Sequence, residues 1–343
     1  MFTGERCLEV EDLVLSFKEK RVLKGVSFKH CEKKTYVLIG RNGSGKTTLL
    51  KVIAGLLKPE SGRIRFEGVD YTDKPPWVRR FVYAPTPFPL IEGKTVKQTL
   101  ESIAKLKGSS DLEQEIMEIA KRYDIESLLN RFPHQLSQGE RQRVGLAAVV
   151  LAKPRVALFD EPLAHLSKSW TLEISAEISR LAKEEDIIVV VTTPRVTDSF
   201  LFGSDAEAGV LYDGRIIASG SLNSLISRPH SLEVLLGLDF YTTNIVDLNG
   251  FSELSKTLIS FCGSKARYAW IRPDSVEISD DGEVEGVLER IVPETGFVVA
   301  YVKTQGSIIA TRLPNVQELA TGVRVKLSFK DVICFGEDKK LMR

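Results

Sequence analysis

A glycine-rich segment near the amino terminus carries the clearest chemical signal in this chain. Residues 40–47 read GRNGSGKT and match the pattern GxxxxGK[ST] in full. The glycines let backbone amides turn toward an anion, Lys46 can reach outer phosphates, and the Thr47 hydroxyl can hold Mg²⁺. A chance match in a chain of this length arises on the order of 1% of the time. The segment therefore predicts a phosphate site, with contacts from Gly40, Arg41, Asn42, Gly43, Ser44, Gly45, Lys46, Thr47 and Thr48.

A pair of acidic residues, Asp160 and Glu161, follows the apolar run Val156 to Phe159. At the end of a buried strand, Asp160 suits a carboxylate that secures Mg²⁺ through its water shell. Glu161 suits a group that polarises an attacking water. Taken alone, the pattern more often marks a strand that ends in a solvated acidic turn. The upstream phosphate loop favours the functional interpretation.

A third candidate, Ser137, Gln138 and Gly139, precedes a helical stretch that begins near Arg141. Ser137 is well placed as a helix N-cap, and the amides of Gln138 and Gly139 would be open to an anion. On its own the spacing indicates no more than that cap.

The elements around these residues follow an α/β order. Near-alternating apolar residues predict a hairpin of strands over Leu8 to Phe17 and Val22 to Lys29. An apolar run then leads directly into the glycine-rich loop and a helix, and a helical stretch extends from Val96 to Ala152. Two further strands flank a helix over Lys168 to Glu184, which is typical of a parallel sheet with crossover helices. The strands predicted beside the motifs are Thr35 to Ile39, Val156 to Asp160 and Ile187 to Thr192.

The tail changes in character beyond Arg228 and Pro229. Short β-rich runs such as GFVVAYVKT and RVKLSF alternate with Gly, Pro, Asp or Asn. These runs predict a small all-β barrel or sandwich.

The amino-acid composition of the chain limits the classes of protein to which it could belong. The chain has 343 residues, is 43% hydrophobic and carries a net charge of +1, so we expect two domains and no general electrostatic attraction to nucleic acid. No apolar run approaches 18 residues and the start is charged, so we expect neither a membrane-spanning helix nor a signal peptide. Four widely spaced cysteines without a CxxC pair argue against a zinc ribbon or a dense disulfide framework and favour a reducing cytosol.

The three motifs together resemble those of an ATP-binding cassette (ABC) transporter ATPase. GRNGSGKT is similar to the family's Walker A loop, LSQGE to its signature motif and VALFDEP to its Walker B strand, in the family order. The resemblance covers about Leu8 to Leu225 and implies a P-loop α/β domain with a helical subdomain. It also implies that two subunits bind two ATP head to tail, so that Ser137, Gln138 and Gly139 contact the γ-phosphate of the ATP held by the other subunit. Phe17 falls where the family stacks an aromatic on adenine, although a core aromatic is an equal alternative.

The tail, over about Leu238 to Arg343, resembles the TOBE domain, an oligonucleotide-binding-type β-barrel of importer ATPases for sugars, oxyanions, iron and polyamines. We therefore expect an ABC ATPase domain over 1–230, with a helical subdomain near 88–152, and a linker with a TOBE-like barrel over 231–343. A regulatory or dimerising role for the barrel is favoured over nucleic-acid binding.

Three positions depart from the family pattern. Thr86 stands in place of a glutamine, Ser167 in place of an aspartate and Thr193 in place of a histidine that contacts γ-phosphate. Thr86 and Thr193 could reach Mg²⁺ or phosphate through a water, and Glu161 remains, so one hypothesis is slowed hydrolysis. The other is that ATP binding mainly drives dimer closure and that turnover depends on a more conventional partner. Loss of one such contact typically reduces a rate by roughly 10² to 10³.

The resemblance implies the energy-coupling subunit of an ABC importer, peripheral to the cytoplasmic face of the membrane. Its cofactors would be ATP and Mg²⁺. Its partners would be a second ATPase subunit, identical or different, and a membrane permease that docks near Pro87 to Glu92. The alternative is a soluble ABC ATPase acting on nucleic acid or a protein complex. The sequence indicates no cargo, and the four histidines, which lack ligand spacing, are interpreted as surface or capping residues: His30, His134, His165 and His230.

Overall fold

A computed structural model describes residues 6–31, 34–108, 111–184, 187–203, 205–238, 243–250, 252–294, 297–314 and 320–342. The chain forms two compact units, each described by itself. The first comprises Met1–Ser227 with Gly237–Asp239, and the second comprises Arg228–Leu236 with Phe240–Arg343.

The first unit contains two sheets. Its strands are β1 (Cys7–Phe17), β2 (Lys20–Cys31), β3 (Thr35–Ile39), β4 (Ser61–Phe66), β5 (Val69–Asp70), β6 (Phe81–Ala84), β7 (Val156–Asp160), β8 (Ile188–Thr193), β9 (Glu207–Tyr212) and β10 (Arg215–Ser221). A six-stranded sheet has the order β10-β9-β3-β8-β7-β6, parallel except for β10. The other sheet, β2-β1-β4-β5, is antiparallel. The predicted hairpin and the predicted parallel sheet are confirmed.

Some helices of the first unit pack against the parallel sheet, and three others pack against one another. The helices are α1 (Lys46–Ala54), α2 (Pro76–Arg79), α3 (Val96–Lys107), α4 (Leu112–Arg122), α5 (Gln138–Leu151), α6 (Lys168–Glu184), α7 (Val196–Ser199) and α8 (Leu222–Ser227). Helices α3, α4 and α5 pack against one another between β6 and β7. This cluster is the helical insertion that the periodic apolar pattern predicts.

Strand register brings the predicted motifs to one edge of the sheet. Strands β3, β7 and β8 are buried at every residue, as interior strands of a parallel sheet require. Ile39 lies opposite Thr193, and Asp160 lies opposite Thr192. The phosphate loop that follows β3 and the acidic pair that ends β7 therefore lie at the same edge of the sheet, at the carboxyl ends of the two strands that flank β8.

The second unit is rich in antiparallel strands: β11 (Asn244–Asp247), β12 (Tyr268–Ile271), β13 (Val276–Ile278), β14 (Val284–Glu294), β15 (Phe297–Lys303), β16 (Ile308–Leu313), β17 (Arg324–Phe329) and β18 (Val332–Phe335). They form a three-stranded sheet, β11-β12-β18, and a five-stranded sheet, β13-β17-β14-β15-β16. The edge strands of the larger sheet approach each other where the Thr311 hydroxyl donates to the Val276 carbonyl at 2.6 Å. This arrangement is consistent with the expected small β-barrel.

The tail also contains helices, which the all-β expectation did not include. Helix α9 (Leu232–Leu238) lies near its start, and α10 (Glu253–Cys262) begins after Ser252, whose hydroxyl accepts from the Ser255 amide. The buried Leu254 and Leu258 are spaced for one helical face, and this was the available signal for α10.

All four cysteines are paired, contrary to the inference drawn from their spacing. Cys7 bonds to Cys31 and Cys262 bonds to Cys334. The first pair lies at directly opposed positions of β1 and β2, and the second joins α10 to β18. Because these approaches are products of topology, spacing along the chain could not reveal them, and the argument from cysteine spacing for a reducing cytosol no longer holds. Within the described ranges, no helix is both long and apolar enough to cross a membrane.

Candidate functional site

The phosphate loop runs from the end of β3 to the start of α1. Gly43 and Gly45 have φ values of +81° and +108°, which only glycine adopts readily. Position 40 also requires glycine, because a Cβ there would lie 2.4 Å from the Leu211 carbonyl oxygen. The local sequence thus produces a tight turn of backbone amides at the amino end of a helix, which is the geometry that binds phosphate.

Lys46 joins this loop to the acidic pair. Its side chain is only 4% exposed, and Nζ donates to the Gly40 carbonyl at 2.6 Å. Nζ also lies 3.3 Å from Oε1 of Glu161. The ammonium group and the carboxylate therefore lie at the same point of the sheet edge.

Asp160 is held by two hydroxyl groups that sequence reasoning missed. The Thr192 hydroxyl donates to Oδ1 at 2.8 Å, and the Tyr83 hydroxyl donates to Oδ2 at 2.9 Å. Burial, followed by the neighbouring Asp160 carboxylate, raises the pKa of Tyr83, so this phenol stays protonated as a donor. Both partners come from adjacent strands of the sheet, and that pairing is not visible in the sequence.

Thr192 also positions Glu161. Its fully buried oxygen accepts a hydrogen bond from the Glu161 amide at 3.0 Å. Glu161 itself has a φ of +51°, an uncommon conformation for a residue with a side chain. One threonine therefore orients both members of the acidic pair. Its place as the first of two threonines that end an otherwise apolar strand was the available signal for it.

Ser137 is the N-cap of α5, as predicted, but the helix begins at Gln138, three residues before the predicted start near Arg141. The Ser137 hydroxyl accepts from the Glu140 amide at 3.3 Å, and the Glu140 carboxylate accepts from the Ser137 amide at 2.8 Å. This backbone bond is the main reason that the pKa of Glu140 is lowered. Ser137 and Gln138 are exposed whereas Gly139 is buried, so this helix end presents its first residues at the surface.

Two contacts connect α5 with α6 and with the segment that joins β7 to α6. The ring of Trp170 covers Gly139 so closely that a Cβ there would lie 2.7 Å from it. The buried Gln142 amide donates to the Pro162 carbonyl at 3.1 Å. These contacts hold the start of α5, which carries Ser137 to Gly139, against α6 and the segment that follows Glu161.

The three departures from the family pattern occupy different environments. Thr193 is 4% exposed, and its hydroxyl is engaged within its own turn by the amide and carbonyl of Arg195, both at 3.2 Å. The Thr86 hydroxyl is buried without a hydrogen-bond partner among the described residues. Ser167 is exposed, with its oxygen 3.1 Å from that of Ser169.

Phe17 is 48% exposed at the end of β1, so it is not a core aromatic. Its hairpin runs beside the phosphate loop, because a Cβ on Gly45 would contact Val22 and Leu23 at the start of β2. In the segment predicted to dock the permease, Ile91 is 41% exposed. Both assignments remain predictions.

A cavity of about 310 Å³ opens beside the phosphate loop. It is lined by Asn42, Glu161, Leu163, Ala164, His165, Thr192, Thr193, Pro194, Arg195, Asp198 and Phe202. A more open depression is lined by Arg41 to Ser44 and by Tyr212 and Asp213. The loop therefore borders two accessible cavities.

A strand, glycine-rich loop and helix, with a carboxylate pair at the end of another parallel strand of the same sheet, define a P-loop nucleotide-binding domain. Residues 23–164 match the family model described as ABC transporter. The chain is 32% identical to a molybdate/tungstate import ATP-binding protein of Methanocaldococcus jannaschii over 94% of this chain and 98% of the relative. It belongs to the family of ABC transporter ATP-binding proteins, and within it to the importer-type ATPases.

Other relatives and structures agree with this assignment. A phosphate import ATP-binding protein of Aeropyrum pernix is 33% identical over 65% of this chain and 93% of its own. The ADP conformation of an ATP-binding cassette of an ABC transporter superposes with a TM-score of 0.59 at 27% identity, over 69% of this chain and 100% of that one. The predicted fold class and ATPase activity are confirmed, and the soluble alternative is not favoured.

Proposed function

We propose that residues 40–48 bind the phosphates of ATP and that Glu161 activates the water that hydrolyses it. The observation that carries this assignment is the position of the Lys46 ammonium between the Gly40 carbonyl and the Glu161 carboxylate. A γ-phosphate that Lys46 contacts would lie next to the base required for its hydrolysis. The exposed Phe17 would stack on the adenine, while Thr86 and Thr193 would act only through bridging waters.

Mg²⁺ fits the residues present. Among the described residues, no cluster of three or more His, Cys, Asp or Glu forms a ready metal cage. Mg²⁺ commonly binds through one or two protein groups together with substrate phosphates and waters. Thr47 and Asp160 are the groups that would hold it. The buried Ser44 hydroxyl, which has no hydrogen-bond partner within the described part of the chain, supplies a further polar atom in the loop. When bound, the ion would neutralise charge on the phosphates.

In the proposed reaction, Glu161 accepts a proton from a water whose oxygen attacks the γ-phosphorus. The bond from that phosphorus to the bridging oxygen breaks, and ADP and inorganic phosphate form. Thr192 holds the backbone of Glu161 and one oxygen of Asp160, so the two carboxylates keep separate tasks. Lys46 stabilises negative charge on the phosphates throughout.

The exposed Ser137 and Gln138 support a head-to-tail dimer. The Ser137 hydroxyl and the Gln138 amide lie at the start of a capped helix and could donate hydrogen bonds to the γ-phosphate of an ATP bound to a second copy. The site would then close only between two subunits, identical or different. The TOBE-like second unit would contribute to this assembly or to its regulation.

A membrane permease is the remaining partner we propose. The chain would act at the cytoplasmic face of the membrane and dock to the permease through Pro87 to Glu92.

The cargo we infer is an oxyanion. The relatives described above are named for molybdate/tungstate and phosphate, and another, from Salmonella paratyphi A, for 2-aminoethylphosphonate. These anions share a charged oxygen-rich head.

Steady-state Mg·ATP turnover by the purified chain tests the nucleotide assignment. Lys46→Ala should abolish turnover and weaken ATP binding, because it removes the phosphate's cation. Glu161→Gln should abolish turnover and leave ATP binding intact, because it removes only the base. Turnover that survives both substitutions would contradict the assignment.

The cargo assignment needs a separate measurement. The chain would be reconstituted in vesicles with the permease that co-purifies with it, and uptake of molybdate, tungstate, phosphate and sulfate compared with that of maltose. ATP-dependent uptake of one oxyanion is expected. Uptake of the neutral sugar alone would refute the oxyanion hypothesis without affecting the ATPase assignment.

A further inference from the structure

The cavity beside the phosphate loop contains a histidine that the proposed reaction leaves unused. His165 lies four residues after Glu161, on the segment between β7 and α6, and lines the same cavity as Asn42 and Glu161. Its φ of +62° is an uncommon left-handed conformation for a histidine. The segment is therefore bent at this residue, on the wall of the cavity that the proposed base also lines.

Thr193 cannot readily serve the phosphate directly. Its hydroxyl both donates to and accepts from the Arg195 backbone, so a bond to phosphate would require that turn to open. The position at the end of β8 therefore holds a hydroxyl group that is already satisfied.

Arg195 lines the cavity as well, but its charge is already paired. Its Nε and Nη2 atoms lie 2.9 and 2.8 Å from Oδ2 of Asp198. The His165 ring, by contrast, is exposed and forms no hydrogen bond or ion pair with any residue in the described ranges. A histidine ring carries an N–H donor in both protonation states.

We propose that His165 donates a hydrogen bond to the γ-phosphate during ATP hydrolysis and is a catalytic residue of this chain. The inference rests on the proposed nucleotide site. In the step, the water oxygen bonds to the γ-phosphorus and the electron pair of the broken bond goes to the ADP oxygen. The water proton goes to Glu161. His165 keeps its proton and stabilises charge that develops on the phosphate oxygens.

The test compares His165→Ala and His165→Asn with the wild-type chain in steady-state Mg·ATP turnover. Asparagine keeps an N–H donor and tolerates a left-handed backbone, whereas alanine offers no donor. We expect His165→Ala to lower kcat about 10²-fold, as loss of one such donor typically does. His165→Asn should retain an intermediate rate, and KM for ATP should change little because the loop and Lys46 supply most of the ground-state binding.

The matched control is His230→Ala, an exposed histidine of the second unit, which should keep wild-type turnover. Wild-type kcat in His165→Ala would overturn the inference, and so would parallel losses of kcat, ATP affinity and thermal stability, which indicate a structural role. Lys46→Ala distinguishes a failure of the His165 assignment from a failure of the proposed ATP site. If Lys46→Ala is inactive while His165→Ala is fully active, only the inference fails. If wild-type turnover does not depend on Lys46, the proposed site fails and the inference fails with it.

Discussion

At the scale of single residues, Thr192 is the group on which the acidic pair depends. It donates to Asp160, accepts from the Glu161 amide and is fully buried. Thr192→Val keeps the shape and removes both bonds, so we predict a stability loss of about 1–3 kcal/mol. Turnover should fall roughly 10- to 100-fold, by analogy with the loss of groups that orient metal ligands.

The neighbouring Thr193→Val is the matched control for this prediction. Its hydroxyl bonds only within the turn to Arg195, so its effect on turnover should be the smaller of the two. Measurements of kcat and of the thermal unfolding temperature for both variants test this comparison. A larger kinetic loss at Thr193 than at Thr192 would restore Thr193 to the role that the family pattern gives its position.

The sequence revealed the residues that bear chemistry more readily than those that orient them. The phosphate loop, Asp160, Glu161 and the Ser137 cap follow from local patterns, because loop geometry and helix caps are local properties. Tyr83 and Thr192 act across strands that lie far apart in the chain. Their roles required the sheet order, which no local pattern specifies.

At the scale of elements, the start of α5 is fixed by the ring of Trp170. A Cβ on Gly139 would meet that ring at 2.7 Å, and Arg143 lies over the ring with its guanidinium carbon 4.2 Å from the centroid, which limits how far the ring can move. Gly139→Ala should therefore displace the helix end and destabilise the fold by about 1–3 kcal/mol, as overpacking typically does. Turnover should fall with it, because the displaced amides belong to the proposed signature contact.

The double variant Gly139→Ala with Trp170→Leu is the control for this element. The smaller side chain leaves space for the added methyl group, so the double variant should recover part of the activity that Gly139→Ala loses. Thermal unfolding and turnover of the single and double variants provide the comparison. Equal losses in both would show that the contact with Trp170 is not the cause.

The disulfide between α10 and β18 has a prediction of its own. It closes a sequence separation of 72 residues, and a link of this length stabilises a fold by about 4 kcal/mol in the chain-entropy model. Replacing Cys262 and Cys334 by serine should lower the unfolding temperature of the second unit, measured by calorimetry. The Cys7 and Cys31 double variant, with a separation of 24, should affect the first unit and by somewhat less. An unchanged unfolding temperature in the variant that lacks Cys262 and Cys334 would show that this disulfide contributes little to the stability of the second unit.

The elements themselves were largely predictable, and the exceptions share a cause. Strand β3 and helix α6 have the bounds that the apolar pattern predicts. Helix α10 was overlooked because the surrounding β-rich runs dominated the composition of the tail. Both disulfides were overlooked because residues 24 and 72 positions apart become neighbours only through pairing of the elements that carry them.

At the scale of the whole molecule, the proposed head-to-tail arrangement with an identical second subunit encloses ATP between two copies of this chain, and each ATP is hydrolysed at that shared site. The most direct measurement is sedimentation velocity of the Glu161→Gln chain, which should bind ATP without hydrolysing it. With Mg·ATP it should sediment as a dimer, and without nucleotide as a monomer. Adding Ser137→Glu should abolish the dimer, since a carboxylate would then face the γ-phosphate, while ATP binding persists. A chain that binds ATP at saturation yet remains a monomer would contradict closure of the site between two copies of this chain.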